Sequence, residues 1–258
     1  MELNTVLYRV EGNVAVISMN RTKAMNSLSR ALFEDMTRAF LAAQDDETVR
    51  AVIYTGEGRC FCAGGDISEL LGVTTIEDTT AFMHIAGDFA NLLHHFPKPV
   101  IAAAHGAIAG AGTALMMASD IAIVADNATF IVAFGTVGLV PDCGLHYFLP
   151  RVVSPNRAKE MMLTQRPVKA EELLSLGIAN QVVPAEQLME TAMALAAKIA
   201  AGPLNAYALS KSLFNQYADT DLAQMLDWEA RDQALARVHP NGTEGLNAFL
   251  EKRSAKFT

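Results

Sequence analysis

Apolar and polar residues largely alternate over the first twenty positions of the chain. Apolar side chains at every second position from Val6 to Val10 precede a Glu-Gly-Asn segment, and the alternation resumes at Val14. Because successive side chains of a β-strand point to opposite faces, this period of two predicts a strand on each side of the segment. Gly12 suits a tight turn, so the pattern predicts a β-hairpin.

Helical spacing then replaces this alternation. Apolar residues recur three and four positions apart after Ser29, a residue type that caps helix N-termini. A second stripe with the same spacing stops before Pro97. These two patterns predict amphipathic helices over residues 29–44 and 78–96.

Short apolar runs lie between and after these helices. Residues 51–55, 100–104 and 121–124 have the length and composition of buried strands. The small-residue segment 106–112 predicts a loop, followed by a helix that ends near Ser119. Alternation of strands with helices favours an α/β architecture over a β-sandwich.

Helical patterns dominate after Arg151, apart from a short strand predicted at 181–183. Residue types favoured near helix starts predict four helices, beginning at Pro184, Pro203, Asp221 and after Asn241-Gly242, the last ending near Arg253. We therefore divide the chain into a core over 1–202 and a helical region over 203–258. These few helices cannot bury all of their own apolar residues, so they are predicted to pack on another subunit.

Charge and composition narrow the possible functions. The chain has 258 residues and a net charge of −8, which disfavours nucleic acid and anionic lipid as main partners. Three cysteines do not make a disulfide framework, and Cys60-x-Cys62 lacks zinc-site spacing, so no metal site is predicted. No segment has the pattern of a signal peptide or a membrane span, so a cytoplasmic enzyme is expected.

Two segments rich in glycine and alanine, residues 60–67 and 105–112, follow predicted strands. Small residues let a ligand approach the backbone, and two such loops could direct two N–H groups at one carbonyl oxygen. Such a pair of donors defines an oxyanion hole. The same small residues would also permit close packing of helices on strands, and the residues alone leave both interpretations open.

Several motifs occur together, in an order that resembles one family. The first loop lies in the pattern Thr-Gly-x-Gly-x-x-Phe-x-Ala-Gly-x-Asp-Ile over 55–67, and Lys-Pro-Val-Ile-Ala at 98–102 precedes the second loop. Further matches are Ala118-Ser119-Asp120-Ile121, Gly138-Leu139-x-Pro141, Leu149-Pro150-Arg151, Val182-Val183-Pro184 and Gly245-x-x-Ala248-Phe249-x-Glu251-Lys252-Arg253. This ordered set resembles the crotonase, or enoyl-CoA hydratase/isomerase, superfamily over essentially the whole chain.

That resemblance implies an α/β core of irregular ββα units and a C-terminal helical trimerisation region, assembled as a homotrimer or a dimer of trimers. It implies an acyl-CoA thioester as substrate and no separate cofactor, because coenzyme A is part of the substrate. The thioester oxygen would lie in an oxyanion hole at the N–H groups of Ala63 and Ala111. Other positions implied to bind CoA or substrate are Lys23, Ala24, Gly64, Gly65, Asp66, Ile67, Gly110, Phe134, Val137 and, from a neighbouring subunit, Lys252.

The number and position of carboxylates distinguish the reactions of the superfamily. Its hydratases use two glutamates at positions that match Ala114 and Phe134 here, and neither of these side chains can transfer a proton. Asp142 directly follows Pro141, which resembles enoyl-CoA isomerases, especially those of the phenylacetate-pathway type. The implied reaction is a double-bond shift through an enolate, with Asp142 as acid and base.

Other interpretations stay open at this point. Pro-Asp-x-Gly is an ordinary turn sequence, so Asp142 could be a turn residue. Aromatic acyl-CoA dehalogenases of the superfamily carry a nucleophilic aspartate at this position, with tryptophan where this chain has Phe134. Residual hydratase activity is a further alternative, as is a non-catalytic binding or assembly member, although the negative net charge disfavours one that binds RNA.

Overall fold

A computed structural model describes residues 2–258 of the protein. The strands are β1 (Val6–Glu11), β2 (Val14–Met19), β3 (Ala51–Gly56), β4 (Val100–Ala104), β5 (Ala107–Ala109), β6 (Ile121–Ala125), β7 (Thr129–Ile131), β8 (Val168–Lys169) and β9 (Gln181–Val183). The α-helices are α1 (Arg30–Asp45), α2 (Ile67–Gly72), α3 (Ile76–His94), α4 (Ala111–Met117), α5 (Leu145–Val152), α6 (Pro155–Thr164), α7 (Ala170–Ser175), α8 (Leu188–Ala200), α9 (Leu204–Gln216), α10 (Leu222–Val238) and α11 (Pro240–Leu250).

The main sheet contains six strands in the order β1-β2-β3-β4-β6-β9. The predicted hairpin is confirmed as the antiparallel pair β1–β2, and Gly12 turns it with a φ of 60°. All other neighbours in this sheet are parallel. The strands predicted at 51–55, 100–104, 121–124 and 181–183 are confirmed, and β2, β3 and β4 are buried along their whole length, as in parallel sheets covered on both faces.

The main sheet lies between two helical layers. Side chains of β2 alternate between them: Ala15, Ile17 and Met19 join the cluster formed with α1 and α3, whereas Val14 and Val16 join the cluster formed with α8. Both clusters exclude water from apolar side chains, and this burial is the main stabilising contribution to the fold.

The two predicted amphipathic helices are confirmed, with small shifts at their ends. The Ser29 side chain accepts a hydrogen bond from the Leu32 N–H, and α1 follows it. Helix α3 begins two residues before the predicted start, because the Thr75 hydroxyl accepts the Asp78 N–H at 3.1 Å and caps the first turn. Helices α1 and α3 pack on each other and share one buried cluster with side chains from a face of the main sheet.

The segment 106–112 is not only a loop, as the small residues had predicted. Strand β5 lies within it and pairs in parallel with β7, which pairs in turn with β8, forming a second sheet of three strands. The glycines and alanines gave no strand signal, because this pairing depends on partners far away in the sequence.

The four predicted C-terminal helices are present as α8 to α11. The last begins at Pro240, so Asn241 and Gly242 lie in its first turn and not before it. Large apolar side chains on these helices are exposed, including Phe214 at 74% and Phe249 at 83%. Assembly through this surface stays a prediction.

Within residues 2–258, every helix is too short or too polar to cross a membrane.

Candidate active site

The two small-residue segments lie side by side. The N–H of Phe61 donates to the His105 carbonyl at 2.8 Å, and Cys62 and Ile108 form a parallel bridge in which the Cys62 carbonyl accepts the Ala109 N–H at 2.9 Å. These bonds join the turn after β3 to β5. The two loops therefore form one continuous backbone surface.

Glycines at this junction permit close packing. A Cβ on Gly112 would lie 2.8 Å from the Cβ of Cys62, and one on Gly64 would lie 3.2 Å from the Ala109 carbonyl oxygen. Gly64 also has a φ of 101°, which other residues rarely adopt. Close packing therefore explains part of the small-residue pattern, and it brings the two backbones together.

The hydrogen bonds of the first loop correct one predicted oxyanion donor. The Ala63 N–H already donates to the Met25 carbonyl at 3.0 Å, so it is not free to bind a ligand. The neighbouring bonds run from the Leu28 N–H to the Gly64 carbonyl and from the Asp66 N–H to the Leu28 carbonyl. The N–H of Gly65, between them, has no acceptor within residues 2–258.

On the second loop, the predicted donor is available. Ala111 is the first residue of α4, where an N–H has no partner inside the helix, and none of the described residues accepts it. Gly65 and Ala111, whose N–H groups are both free, line the same cavity.

A cavity of about 440 Å³ opens beside these two N–H groups. Nine of the residues implied by resemblance line it: Ala63, Gly64, Gly65, Ile67, Gly110, Ala111, Phe134, Val137 and Asp142. The structure therefore gathers these nine residues from three separate stretches of sequence around one space.

Asp142 supplies the only carboxylate among the side chains that line this cavity. It sits in a tight turn, since Cys143 and Gly144 have φ values of 49° and 81° and the Leu145 N–H donates to the Asp142 carbonyl at 3.0 Å. The Oδ1 atom of Asp142 is buried and has no hydrogen-bond partner among the described residues. The side chain is therefore held at the cavity wall with an unsatisfied acceptor.

Burial raises the pKa of the Asp142 carboxyl above its ordinary value of 3.8, and the neighbouring Cys143 thiol offsets part of this rise. A raised pKa, a cleft and an unpartnered oxygen together are typical of a functional carboxylate. Burial also raises the pKa of the Cys143 thiol well above its ordinary value, which opposes a role for it as a thiolate nucleophile.

Comparison with known proteins assigns the chain to a family. The sequence model described as Enoyl-CoA hydratase/isomerase matches residues 9–258. The chain belongs to the enoyl-CoA hydratase/isomerase family. It is 35% identical to the 1,2-epoxyphenylacetyl-CoA isomerase of Escherichia coli K12, over 98% of each chain. It is 36% identical to a probable enoyl-CoA hydratase of Rhodobacter capsulatus, over 100% of this chain and 99% of the relative.

The fold comparison agrees with this assignment. An enoyl-CoA hydratase from Polaromonas sp. JS666 superposes with a TM-score of 0.95 at 32% identity, covering 98% of this chain and 99% of that structure. The protein therefore has the crotonase fold, as its motifs implied. Similar members of the enoyl-CoA hydratase/isomerase family are named both as hydratases and as isomerases, so likeness alone does not choose the reaction.

The two positions at which hydratases carry their glutamates hold Ala114 and Phe134 here, and neither side chain is an acid. Ala114 is fully buried within α4, and Phe134 lies on the cavity wall. Both are hydrocarbons, so the wall offers one carboxylate and not the pair that activates water in hydratases. Among the described residues, no group of three or more His, Cys, Asp or Glu side chains is placed to hold a metal ion.

Four residues implied to contact CoA lie away from the cavity wall. Lys23 and Ala24 belong to a single 3-10 turn, Thr22–Ala24. Asp66 caps α2 and pairs with Arg21 at 2.8 Å. Burial alone would raise the pKa of Asp66, but Arg21 and the N–H groups of α2 lower it overall.

These contacts give Asp66 a structural role whether or not it also meets CoA. Lys252 lies beyond the end of α11, is exposed and forms no ion pair within residues 2–258. The roles of all four residues in CoA binding stay predictions.

One wall of the cavity was missed by sequence reasoning. Phe33 of α1 and Phe82, Met83 and Ala86 of α3 line it. The helical spacing of Phe33, Phe82 and Ala86 predicted only that they lie on the buried faces of amphipathic helices, as core residues do. Nothing in a helical period distinguishes a face packed on the core from one that borders a cavity.

Proposed function

We propose that the protein is an enoyl-CoA isomerase that shifts a double bond between the 3- and 2-positions of an acyl-CoA thioester. Asp142 takes a proton from C2 and returns one at C4. The observation that supports this most directly is that Asp142 is the single carboxylate on the wall of a cavity that Gly65 and Ala111, with their free backbone N–H groups, also line.

The two N–H groups account for the intermediate. Removal of the C2 proton leaves an enolate whose negative charge rests largely on the thioester oxygen. Donors at Gly65 and Ala111, fixed in advance by the paired loops, would stabilise that charge without reorganisation. The loss of one such donor typically costs about 3 kcal/mol of transition-state stabilisation.

Asp142 accounts for the proton transfer. The electron pair of the C2–H bond enters the enolate, and protonation at C4 with return of the electrons restores the thioester carbonyl and a 2,3 double bond. One carboxylate carries out both transfers, because isomerisation adds and removes nothing. A raised pKa makes Asp142 a stronger base than an ordinary aspartate.

The alternative reactions lack one or more of their groups. Hydration in this family uses two carboxylates, but this wall carries only one. Ala114 and Phe134 replace the glutamates of the hydratases. Nucleophilic dehalogenation would use Asp142, but the tryptophan that accompanies it in dehalogenases is Phe134 here. An RNA-binding or purely structural role leaves the buried, unpartnered Oδ1 of Asp142 unexplained.

The purified protein is expected to isomerise 3-enoyl-CoA thioesters to 2-enoyl-CoA, because its cavity holds the one base this reaction needs. The measurement is the appearance of the conjugated thioester by ultraviolet absorbance. Crotonyl-CoA hydration and halide release from 4-chlorobenzoyl-CoA are run in parallel. Hydration or halide release faster than isomerisation would refute the proposal, as would RNA retention on nitrocellulose without any turnover.

The pH dependence of kcat/KM is expected to show an acid limb whose midpoint lies above 3.8. Asp142 must be ionised in the free enzyme to accept the C2 proton, so activity falls as the pH drops through its raised pKa. The measurement is kcat/KM for a 3-enoyl-CoA across acidic and neutral pH, with circular dichroism confirming that the protein stays folded. A profile that is flat down to the ordinary aspartate value would contradict this assignment.

A further inference from the structure

The deep end of the cavity is built from buried hydrocarbon side chains. Phe33, Phe82 and Ala86 line it and are only 2%, 3% and 3% exposed. Val137 and Val140 also line it, but they are 50% and 77% exposed. The contrast in exposure identifies α1 and α3 as the floor and the turn before Asp142 as the mouth.

The hydroxyl groups on this wall are already engaged elsewhere. Thr79 donates to the Thr75 carbonyl at 2.6 Å, within its own helix, and Thr136 donates to the Gln165 side chain. Asp142 and Cys143, at the reacting end, are the other polar side chains of the wall. The floor thus offers a ligand no free side-chain hydrogen-bond donor, so a carbonyl or carboxylate buried there would be left unpaired.

The size of the cavity exceeds what a short acyl group fills. An apolar cavity of about 150 Å³ accommodates a benzene ring. The cavity here measures about 440 Å³. It therefore has room for the thioester carbons together with a six-membered ring or a chain of comparable size, whereas a four-carbon acyl group would leave most of the apolar floor without contacts.

We propose that the substrates carry a bulky hydrocarbon acyl group without polar substituents at its far end, and that Ala86 sets how deep that group reaches. This inference rests on the proposed function in one respect: it requires that the acyl group of an acyl-CoA binds inside this cavity. Ala86 is the smallest residue that α3 contributes to the wall and it is almost fully buried. A larger side chain at position 86 would occupy the floor that the acyl group otherwise fills.

Calorimetric titration with saturated acyl-CoA thioesters tests the substrate class without any turnover. Each methylene from butyryl-CoA to octanoyl-CoA is expected to tighten binding by up to about fourfold, giving on the order of 100-fold in total. Phenylacetyl-CoA distinguishes a ring from a chain. Adipoyl-CoA, which matches hexanoyl-CoA in length but ends in a carboxylate, is expected to bind at least about 100-fold more weakly than hexanoyl-CoA.

Two leucine substitutions on α3 test the role of Ala86. Ala86→Leu is expected to reduce the octanoyl-to-butyryl preference by at least about tenfold and to leave butyryl-CoA binding within about threefold of wild type. Gly87→Leu is the matched control, since Gly87 is exposed and a Cβ there meets nothing within 4 Å. It is expected to preserve the whole series of affinities.

The outcomes separate this inference from the isomerase proposal. Equal affinity across the wild-type series, or equal affinity for adipoyl-CoA and hexanoyl-CoA, would overturn the substrate class even if Ala86→Leu failed to fold. An unchanged preference in a folded Ala86→Leu protein would overturn the role of Ala86. The wild-type enzyme could also show the predicted series of affinities and yet isomerise no 3-enoyl-CoA. That result would refute the isomerase proposal and leave the inference about the acyl group standing.

Discussion

Replacing Asp142 with asparagine is expected to lower kcat for isomerisation by about 10²–10⁴-fold, the range typical of a lost general base. Asparagine has nearly the same shape, and Asp142 Oδ1 makes no hydrogen bond that the change would break. Affinity for a saturated acyl-CoA is therefore expected to change little. Steady-state rates with a 3-enoyl-CoA and calorimetric binding of octanoyl-CoA measure the two effects separately.

The same substitution is expected to raise the thermal unfolding midpoint at neutral pH. Because the pKa of Asp142 is raised in the folded state, the native protein binds more protons than the unfolded chain between the ordinary value of 3.8 and the raised value. The free energy of unfolding therefore falls as pH rises through that interval, and the ionised group destabilises the fold above it. Removing the charge removes this cost.

Asp88→Asn is the matched control for both measurements, since Asp88 lies on α3 and is exposed. It makes the same chemical change away from the cavity and is expected to retain wild-type rates. Full isomerase activity in Asp142→Asn would refute the assignment of the base. Activity lost together with a lowered unfolding midpoint would instead assign Asp142 to the turn, where it would act as a structural residue.

Ala111→Pro is expected to lower kcat by about 10²–10³-fold, the loss seen when one oxyanion donor is removed. Proline has no N–H, and Ala111 occupies the first position of α4, where proline is well tolerated because that N–H has no partner within the helix. The substitution thus removes one predicted donor with little expected cost to the helix. Steady-state kinetics and thermal unfolding would be measured together.

Ala111→Gly provides the control for this donor, because glycine keeps the N–H and removes only a methyl group. It is expected to retain most of the wild-type kcat. Binding of free CoA checks that the proline ring has not disturbed the rest of the site. An Ala111→Pro enzyme with wild-type kcat would exclude this N–H from the mechanism, while equal losses in both variants would indicate that the side chain matters instead.

Local sequence patterns determined the secondary structure of most of the core. The hairpin and the helices α1 and α3 follow from the periods of two and 3.6 residues, which depend only on how a strand or helix directs its side chains. Motif order also identified the family and picked out Asp142, because the residues of a turn are close together in sequence. These features require no knowledge of distant contacts.

Tertiary structure alone decided features that depend on distant partners. Strand β5 exists because it pairs with β7, and the free donor of the first loop is Gly65 because the Ala63 N–H meets a carbonyl of the loop at Met25. The apolar floor formed by α1 and α3 became visible only once both helices were placed beside the two loops. A hydrogen bond or a cavity wall joins groups that are remote along the chain, and no local period records which partner each group finds.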